Sequence, residues 1–200
     1  MVRRAARVDN RRMNTLAFGG PQAGPEDPLG WIEACHARIE ARLSTLARLE
    51  AHHAARGADA ELARAVEGIV RYFDEAAPHH HADEDLDLFP RLRRHALARG
   101  DGRVLAALDE AGSAHGPLEA AWDELRPGLL AIDAARGPDR RAIEAFSSAY
   151  RAHMTLESDT ILAAARRWLD AGECREIGAA MARRRGIDAS GRAVFIYPRT

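Results

Sequence analysis

Histidine and glutamate recur at helical spacing in four separate stretches of this sequence. Two stretches carry a histidine followed four residues later by a glutamate, and two others carry a single histidine within an apolar pattern. Residues four apart lie on the same face of a helix, one turn from each other. Imidazole nitrogens and carboxylate oxygens together suit Fe, Mn and Zn ions. The candidate metal donors are therefore His36, His80, Glu84, His115, His153 and Glu157.

The alternative explanation is that these histidines are ordinary core residues and that the His-x-x-x-Glu pairs lie on a surface. Six ionisable residues would then share four apolar helix faces by coincidence. Burying an unpaired charge costs on the order of several kcal/mol, against a total stability of roughly 5–15 kcal/mol. The sequence contains no lysine, and no arginine lies on these faces. A bound cation removes the difficulty, because imidazoles bind it as neutral ligands and carboxylates neutralise its charge.

The number of donors indicates more than one ion. A structural zinc site needs about four ligands, whereas six are present here, and two carboxylates can bridge two ions. Inward-pointing glutamates and histidines on facing helices build the di-metal sites of helical bundles. We therefore predict a carboxylate-bridged pair of iron ions, with Mn and Zn as the alternatives.

The apolar spacing predicts the elements that position these donors. In each of four stretches, apolar residues recur at steps of three and four, which is typical of one face of an amphipathic helix. Short connections between such helices predict an all-α, antiparallel four-helix bundle. Asp27 and Pro28 provide a start signal for the first helix, and a fifth, shorter helix is expected over 173–185, ending at Gly186. The predicted domain covers 27–185, between an Arg-rich tail at 1–26 and a C-terminal tail at 186–200.

Four prolines fall inside the predicted helices. A proline in a helix removes a hydrogen bond and bends or interrupts it. We expect bends or breaks at Pro78, Pro117 and Pro127, and either an end or a bend at Pro90. If the helix breaks at Pro78, the register shifts and His81 replaces His80 as the inward-facing donor.

Composition excludes several classes of protein. The chain has 29 Lys and Arg against 30 Asp and Glu, for a net charge of -1, so charge gives no support for binding nucleic acid or a membrane surface. No apolar run approaches the ~20 residues of a membrane span, and the N-terminus lacks the apolar core of a secretory signal. With only two cysteines, Cys35 and Cys174, a reducing compartment is indicated, and we expect a cytoplasmic protein.

Three sequence blocks resemble those of the hemerythrin-like family, the HHE cation-binding domain. They are PHHHADEDLDLFPRL, with adjacent histidines, acidic residues and LFP; EAGSAHGPLEAAWDEL; and AHMTLESDTILAAARRWL, with its His-x-x-x-Glu pair. The resemblance covers roughly residues 29–185. It implies a non-haem di-iron site in which His36 and His80 bind one iron, His115 and His153 bind the other, and Glu84 and Glu157 bridge them.

The sequence departs from the oxygen-carrying hemerythrins in two places. Their third helix carries a second histidine four residues after the first, where this chain has Glu119. Their final carboxylate is an Asp at five residues' spacing, where this chain has Glu157 at four. The chain is thus nearer to the four-His, two-Glu type, such as the iron-centre repair proteins, although it lacks their Cys-containing N-terminal region. Glu119 is either a further ligand, an acceptor for a ligand's N–H group, a proton relay, or a surface residue near Arg126.

Three hypotheses for function follow. The first is a metal-binding protein that binds or senses O2, NO or peroxide, or handles iron under oxidative or nitrosative stress. The second is a di-iron enzyme that reduces peroxide or NO or repairs iron centres, with a redox partner that the sequence does not identify. The third is a helical interaction bundle whose histidines bind metal adventitiously. The remaining histidines and the acidic run are expected on the surface. His79 and His81 are expected to be solvated unless one of them supports a ligand. His52, His53 and His95 are expected to be exposed, and Asp83, Asp85 and Asp87 to form a solvated face.

Overall fold

The computed structural model describes residues 23–187, and nearly all of them lie in five helices. Helix α1 is Pro28–Arg56. Helix α2 runs without interruption over 60–99, through the segments Ala60–Arg71, Tyr72–Ala76, Ala77–Asp83, Glu84–Leu88 and Phe89–Arg99. Helix α3 is Gly102–Leu130. Helix α4 covers 140–168 as Arg140–Leu156, Glu157–Leu162 and Ala163–Trp168, and helix α5 is Ala171–Arg184. The predicted all-α bundle with a short fifth helix is confirmed.

Local sequence explains where these helices begin and end. The Asp27 side chain accepts a hydrogen bond from the Gly30 N–H, and Pro28 occupies the first turn of α1 as predicted. Helix α5 begins at a capping box, in which Asp170 binds the Glu173 N–H and the Glu173 side chain binds the Asp170 N–H. The predicted tails at 1–26 and 186–200 lie mostly outside the described residues.

The prolines are accommodated without a break. Two short π-helical segments, Tyr72–Ala76 and Glu84–Leu88, interrupt the α-helical pattern of α2. Pro78 lies two residues after the first segment ends, and Pro90 lies two residues after the second. The residue before each proline donates its N–H to the carbonyl five residues back. Pro117 and Pro127 lie within the continuous helix α3. The described helices therefore continue through all four prolines without a break, and α2 keeps His80 in register.

Helices α1 to α4 form the four-helix bundle, and α5 packs against α1 and the middle of α2. Within the described residues, no helix combines the length and the apolar character needed to cross a membrane. The core is divided into two apolar clusters. One includes Ile32, Leu88 and Ile161, and the other includes Ile39 and Tyr150.

A buried polar layer lies between these two clusters. In α1, His36 falls between Ile32 of one cluster and Ile39 of the other. In α4, His153 and Glu157 fall between Tyr150 and Ile161 in the same way. Because each helix of the bundle interrupts its apolar face at the same level, the polar side chains of all four helices meet in one layer.

Candidate metal centre

The six donors predicted from spacing converge inside the bundle. The described residues place two groups of four, each with ligand atoms within 4.8 Å of one another. Both groups contain both glutamates, so the carboxylates lie between two sets of imidazoles. The first group is His36, His80, Glu84 and Glu157, and the second is Glu84, His115, His153 and Glu157.

Each glutamate contacts histidines from more than one helix. Glu157 has one carboxylate oxygen 3.1 Å from His153 Nε2 and the other 3.2 Å from His36 Nε2. Glu84 has one oxygen 3.6 Å from His80 Nε2 and the other 3.5 Å from His115 Nε2. The two carboxylates thus lie between imidazoles that come from different helices.

Nine atoms of these six residues are buried without a hydrogen-bond partner. Both ring nitrogens of His80 and of His153 and both carboxylate oxygens of Glu157 are among them. The others are His36 Nε2, Glu84 Oε2 and His115 Nε2. Buried polar atoms in folded proteins are nearly always paired, because an unsatisfied one costs about 1–3 kcal/mol. A cluster of unpaired lone pairs from imidazoles and carboxylates fits a cation.

The backbone at each glutamate is locally unusual. Glu84 and Glu157 are each the first residue of a π-helical segment. The N–H of Glu84 still bonds to the carbonyl of His80, and that of Glu157 to the carbonyl of His153. Each His-x-x-x-Glu pair is therefore α-helical, as its spacing predicts, and the wider turn begins at the glutamate. Such single π turns occur frequently at functional sites.

Without a metal, protons compensate the charge of this layer. Burial lowers the pKa of His36, but the adjacent Glu157 and Glu84 carboxylates outweigh it and raise the pKa to about 9. Burial likewise opposes protonation of His115, and the same glutamates together with Asp85 raise its pKa to about 10. Burial and the neighbouring Glu157 carboxylate raise the pKa of Glu84. A divalent cation would take the place of these protons.

Two further residues orient the histidines from outside the layer. Asp85 lies 2.8 Å from His115 Nδ1, and the hydroxyl of Ser158 lies 3.3 Å from His36 Nδ1. A carboxylate on the far nitrogen of a ligating histidine fixes its tautomer and ring orientation. Sequence spacing did not indicate these partners, because both contacts join different helices.

The acidic run after the triple histidine is not a solvated face. Asp83 is fully buried and Asp87 is largely buried, and both pair with Arg184. Asp85 is the exposed member, yet its carboxylate binds His115. The prediction of a solvated face was wrong, because Arg184 at the end of α5 and Arg185 just after it cover this side of α2.

Glu119 and His81 lie beside the layer rather than in the two groups. The Glu119 side chain is 58% exposed, and its carboxylate is 3.4 Å from His81 Nδ1. His81 is buried next to His80, and its Nε2 lies 3.1 Å from the Tyr150 hydroxyl. Both histidines thus face the interior, although only His80 shares a group with the glutamates.

The remaining predicted surface histidines have structural partners. His52 binds the carboxylate of Asp59 at 2.8 Å, His53 binds the Asp133 carbonyl at 2.7 Å, and His95 binds Glu173 at 2.9 Å. All three are half-buried rather than exposed. They lie at helix junctions, away from the polar layer.

Two comparisons bear on this arrangement. A protein-family model described as the hemerythrin HHE cation binding domain matches residues 27–165, which contain all six clustered donors. A protein of Haemophilus influenzae, named only as an uncharacterized protein, is 30% identical over 163 residues, which cover 80% of this chain and 91% of that protein.

Proposed function

We propose that this chain, which belongs to the hemerythrin HHE cation-binding family, holds two iron ions and binds a small ligand such as O2, NO or peroxide at them. The observation that carries the proposal is the cluster of nine unpartnered buried atoms on six residues from four helices. The function that this supports best is binding or sensing of the ligand, or handling of iron under oxidative or nitrosative stress.

The two overlapping donor groups divide the ligands between the ions. His36 and His80 would hold one ion, and His115 and His153 would hold the other. Glu84 and Glu157 belong to both groups and would bridge the ions. A donor set of imidazoles and carboxylates without thiolates suits iron. Two carboxylates that can bridge favour a pair of ions over a single structural zinc ion. Bound iron would supply a reversible change of oxidation state and a coordination position for a small ligand.

The chain itself controls access to the layer. Glu84 and Glu157 are each 1% exposed, and apolar clusters close both ends of the layer. Two cavities reach its sides. One, of about 450 Å³, is lined by His36 and Ser158, and the other, of about 370 Å³, is lined by His81 and Tyr150. These openings would give a small ligand a route to the layer, while the burial of both glutamates keeps bulk water from the donors.

Metal loading of protein without a histidine tag tests the proposal. Elemental analysis after anaerobic loading with Fe2+ should give two ions per chain. Stopped-flow spectra with O2, NO and H2O2 should then show a stable adduct. Turnover without loss of iron would instead support the enzyme hypothesis. No specific metal uptake would support the interaction bundle and overturn the proposal.

A further inference from the structure

The buried polar layer is closed to charged species at both ends of the bundle. Glu84 and Glu157 are buried, and the apolar clusters that contain Ile32 and Ile39 lie on either side of the layer. Moving an ion through an apolar cluster is unfavourable, because nothing there replaces its hydration shell. A metal ion therefore needs a lateral passage with polar groups along it.

The α1–α4 cavity, of about 450 Å³ and lined by residues of α1 and α4, provides such a passage. It reaches His36, whose Nε2 is unpartnered. His36 is also the most exposed of the six donors, at 9% against 5% or less for the others. Ser158 and Asp159 line the same cavity. Hydroxyl and carboxylate oxygens can replace water around a divalent cation while it moves inwards.

The cavity of about 370 Å³, which residues of α2 and α3 line, is a poorer passage. Its inner wall includes His81 and Tyr150, which are joined by a hydrogen bond of 3.1 Å and are not among the six donors. The His81 ring is stacked on that of His115, with centroids 4.2 Å apart, and so covers this donor. An ion in this cavity would have to displace a paired side chain before it met one of the six donors.

An ion pair spans the α1–α4 cavity. The guanidinium of Arg151 on α4 donates to both carboxylate oxygens of Glu40 on α1, at 2.9 and 2.8 Å. Glu40 lies one helical turn after His36, and both members of the pair line the cavity. Both side chains are nearly half-exposed. An exposed ion pair shifts an equilibrium by only about 1.4- to 5-fold, so this one can open readily.

We propose that divalent cations enter and leave the layer through the α1–α4 cavity, past His36, and that the Glu40–Arg151 pair is the gate of this passage. The inference rests on the proposed function, because it concerns the ions of the same layer. It adds the route by which these ions arrive, and two residues that control the route without being among the six donors.

Removing the ion pair at constant net charge tests the gate. In Glu40→Gln/Arg151→Gln, Co2+ uptake by the metal-free full chain and Co2+ release to excess EDTA should both accelerate by about 2- to 5-fold, which is the upper range for an exposed pair. Stopped-flow absorbance measures both rates. The equilibrium affinity should stay unchanged, because a gate alters uptake and release by the same factor. Arg140→Gln/Glu144→Gln, which removes an exposed pair at the start of α4, is the control and should match the wild type.

The single substitutions separate a gate from electrostatic attraction. Glu40→Gln and Arg151→Gln change the local charge in opposite directions, yet each breaks the pair. A gate predicts faster release of Co2+ to EDTA in both variants. Attraction of cations by surface charge alone predicts opposite changes in uptake and no common acceleration of release, and that result would overturn the inference.

Filling each cavity compares the two routes directly. Ala37 is an exposed residue of the α1–α4 cavity, and Asp123 is an exposed residue of the 370 Å³ cavity. Ala37→Phe should slow uptake and release by about 10-fold or more, because a closely packed passage leaves no room for an ion. Asp123→Phe should leave both rates unchanged.

The outcomes distinguish this inference from the proposed function. Wild-type rates in Ala37→Phe, or slower exchange in Asp123→Phe instead, would overturn the α1–α4 route and leave the proposed function standing. If the wild type does not bind two ions, the proposed function itself fails.

Discussion

The buried carboxylate of Asp83 is held by two hydrogen bonds from the guanidinium of Arg185, at 3.0 and 2.5 Å. Asp83 immediately precedes Glu84, and Arg185 directly follows α5, outside the residues that match the family model. Arg184 pairs with the same carboxylate and with Asp87. The C-terminal helix is thus attached to the segment of α2 that carries Glu84 into the polar layer.

Removing both arginines should destabilise the protein strongly. In Arg184→Ala/Arg185→Ala the fully buried Asp83 loses both cationic partners, and breaking a buried ion pair costs about 3–5 kcal/mol. The free energy of unfolding, measured by urea denaturation of the metal-free protein, should fall by that amount. Arg183→Ala, which removes an exposed neighbour, should change it by less than about 0.5 kcal/mol. Equal stability of the double variant and this control would refute the importance of the pairing.

Substituting either shared glutamate should abolish binding of two ions. Glu84→Gln or Glu157→Gln removes a charged donor from both groups at once. Iron content should fall from two ions per chain to one or fewer. The rise in melting temperature that iron causes should also become smaller, because a ligand stabilises the folded protein only to the extent that it binds it. His52→Ala is the control and should retain the wild-type metal content. The bridging assignment is wrong if either glutamine variant holds two irons with unchanged spectra.

Asp85 should affect metal affinity without being a ligand. Its carboxylate lies 2.8 Å from His115 Nδ1, so Asp85→Asn weakens the group that orients the ring. Metal affinity should decrease by about 10- to 100-fold, with two ions still bound at saturation. Competition with a chromophoric chelator measures the change. Asp123→Asn, at an exposed position of α3, should match the wild type, and an unaltered affinity in Asp85→Asn would count against an orienting role.

The metal-free protein should lose stability as the pH rises above about 6.5. The pKa values of His36 and His115 are raised from 6.5 to about 9 and about 10, because the negative charge of the adjacent Glu157 and Glu84 carboxylates outweighs burial. A raised pKa stabilises the fold fully below the unfolded value, and this contribution disappears as the pH passes through the folded value. The melting temperature should therefore decline between pH 6.5 and 10.

Metal affinity should change in the opposite direction over the same range. Each ion must displace a proton from His36 or His115, so binding becomes tighter as these protons are lost. Co2+ association constants measured from pH 6.5 to 9 should rise steadily. A melting temperature that climbs with pH in the metal-free form, or a Co2+ affinity that does not vary, would contradict the protonation of these histidines.

The helices and six of the donors were predictable because their signals are local. Residues three or four apart lie on the same face of a helix. The pairs His80–Glu84 and His153–Glu157 therefore share a face, whatever the packing of the helices. Asp27 and Pro28 marked the start of α1 from sequence alone. Pro78 and Pro90 indicated a local irregularity in α2, but only the backbone shows that it takes the form of π turns and leaves the helix unbroken.

The sequence by itself determined which helix faces are apolar and that each carries a histidine within it. Tertiary structure alone decided which polar groups meet across helices, because such contacts depend on the rotation and level of separate segments. The buried Asp83 carboxylate is paired with Arg184 and Arg185, which lie 101 and 102 residues later at the end of α5. In the same way, His81 faces Glu119 and Tyr150, which lie 38 and 69 residues away. Spacing within one helix carries no information about these distances.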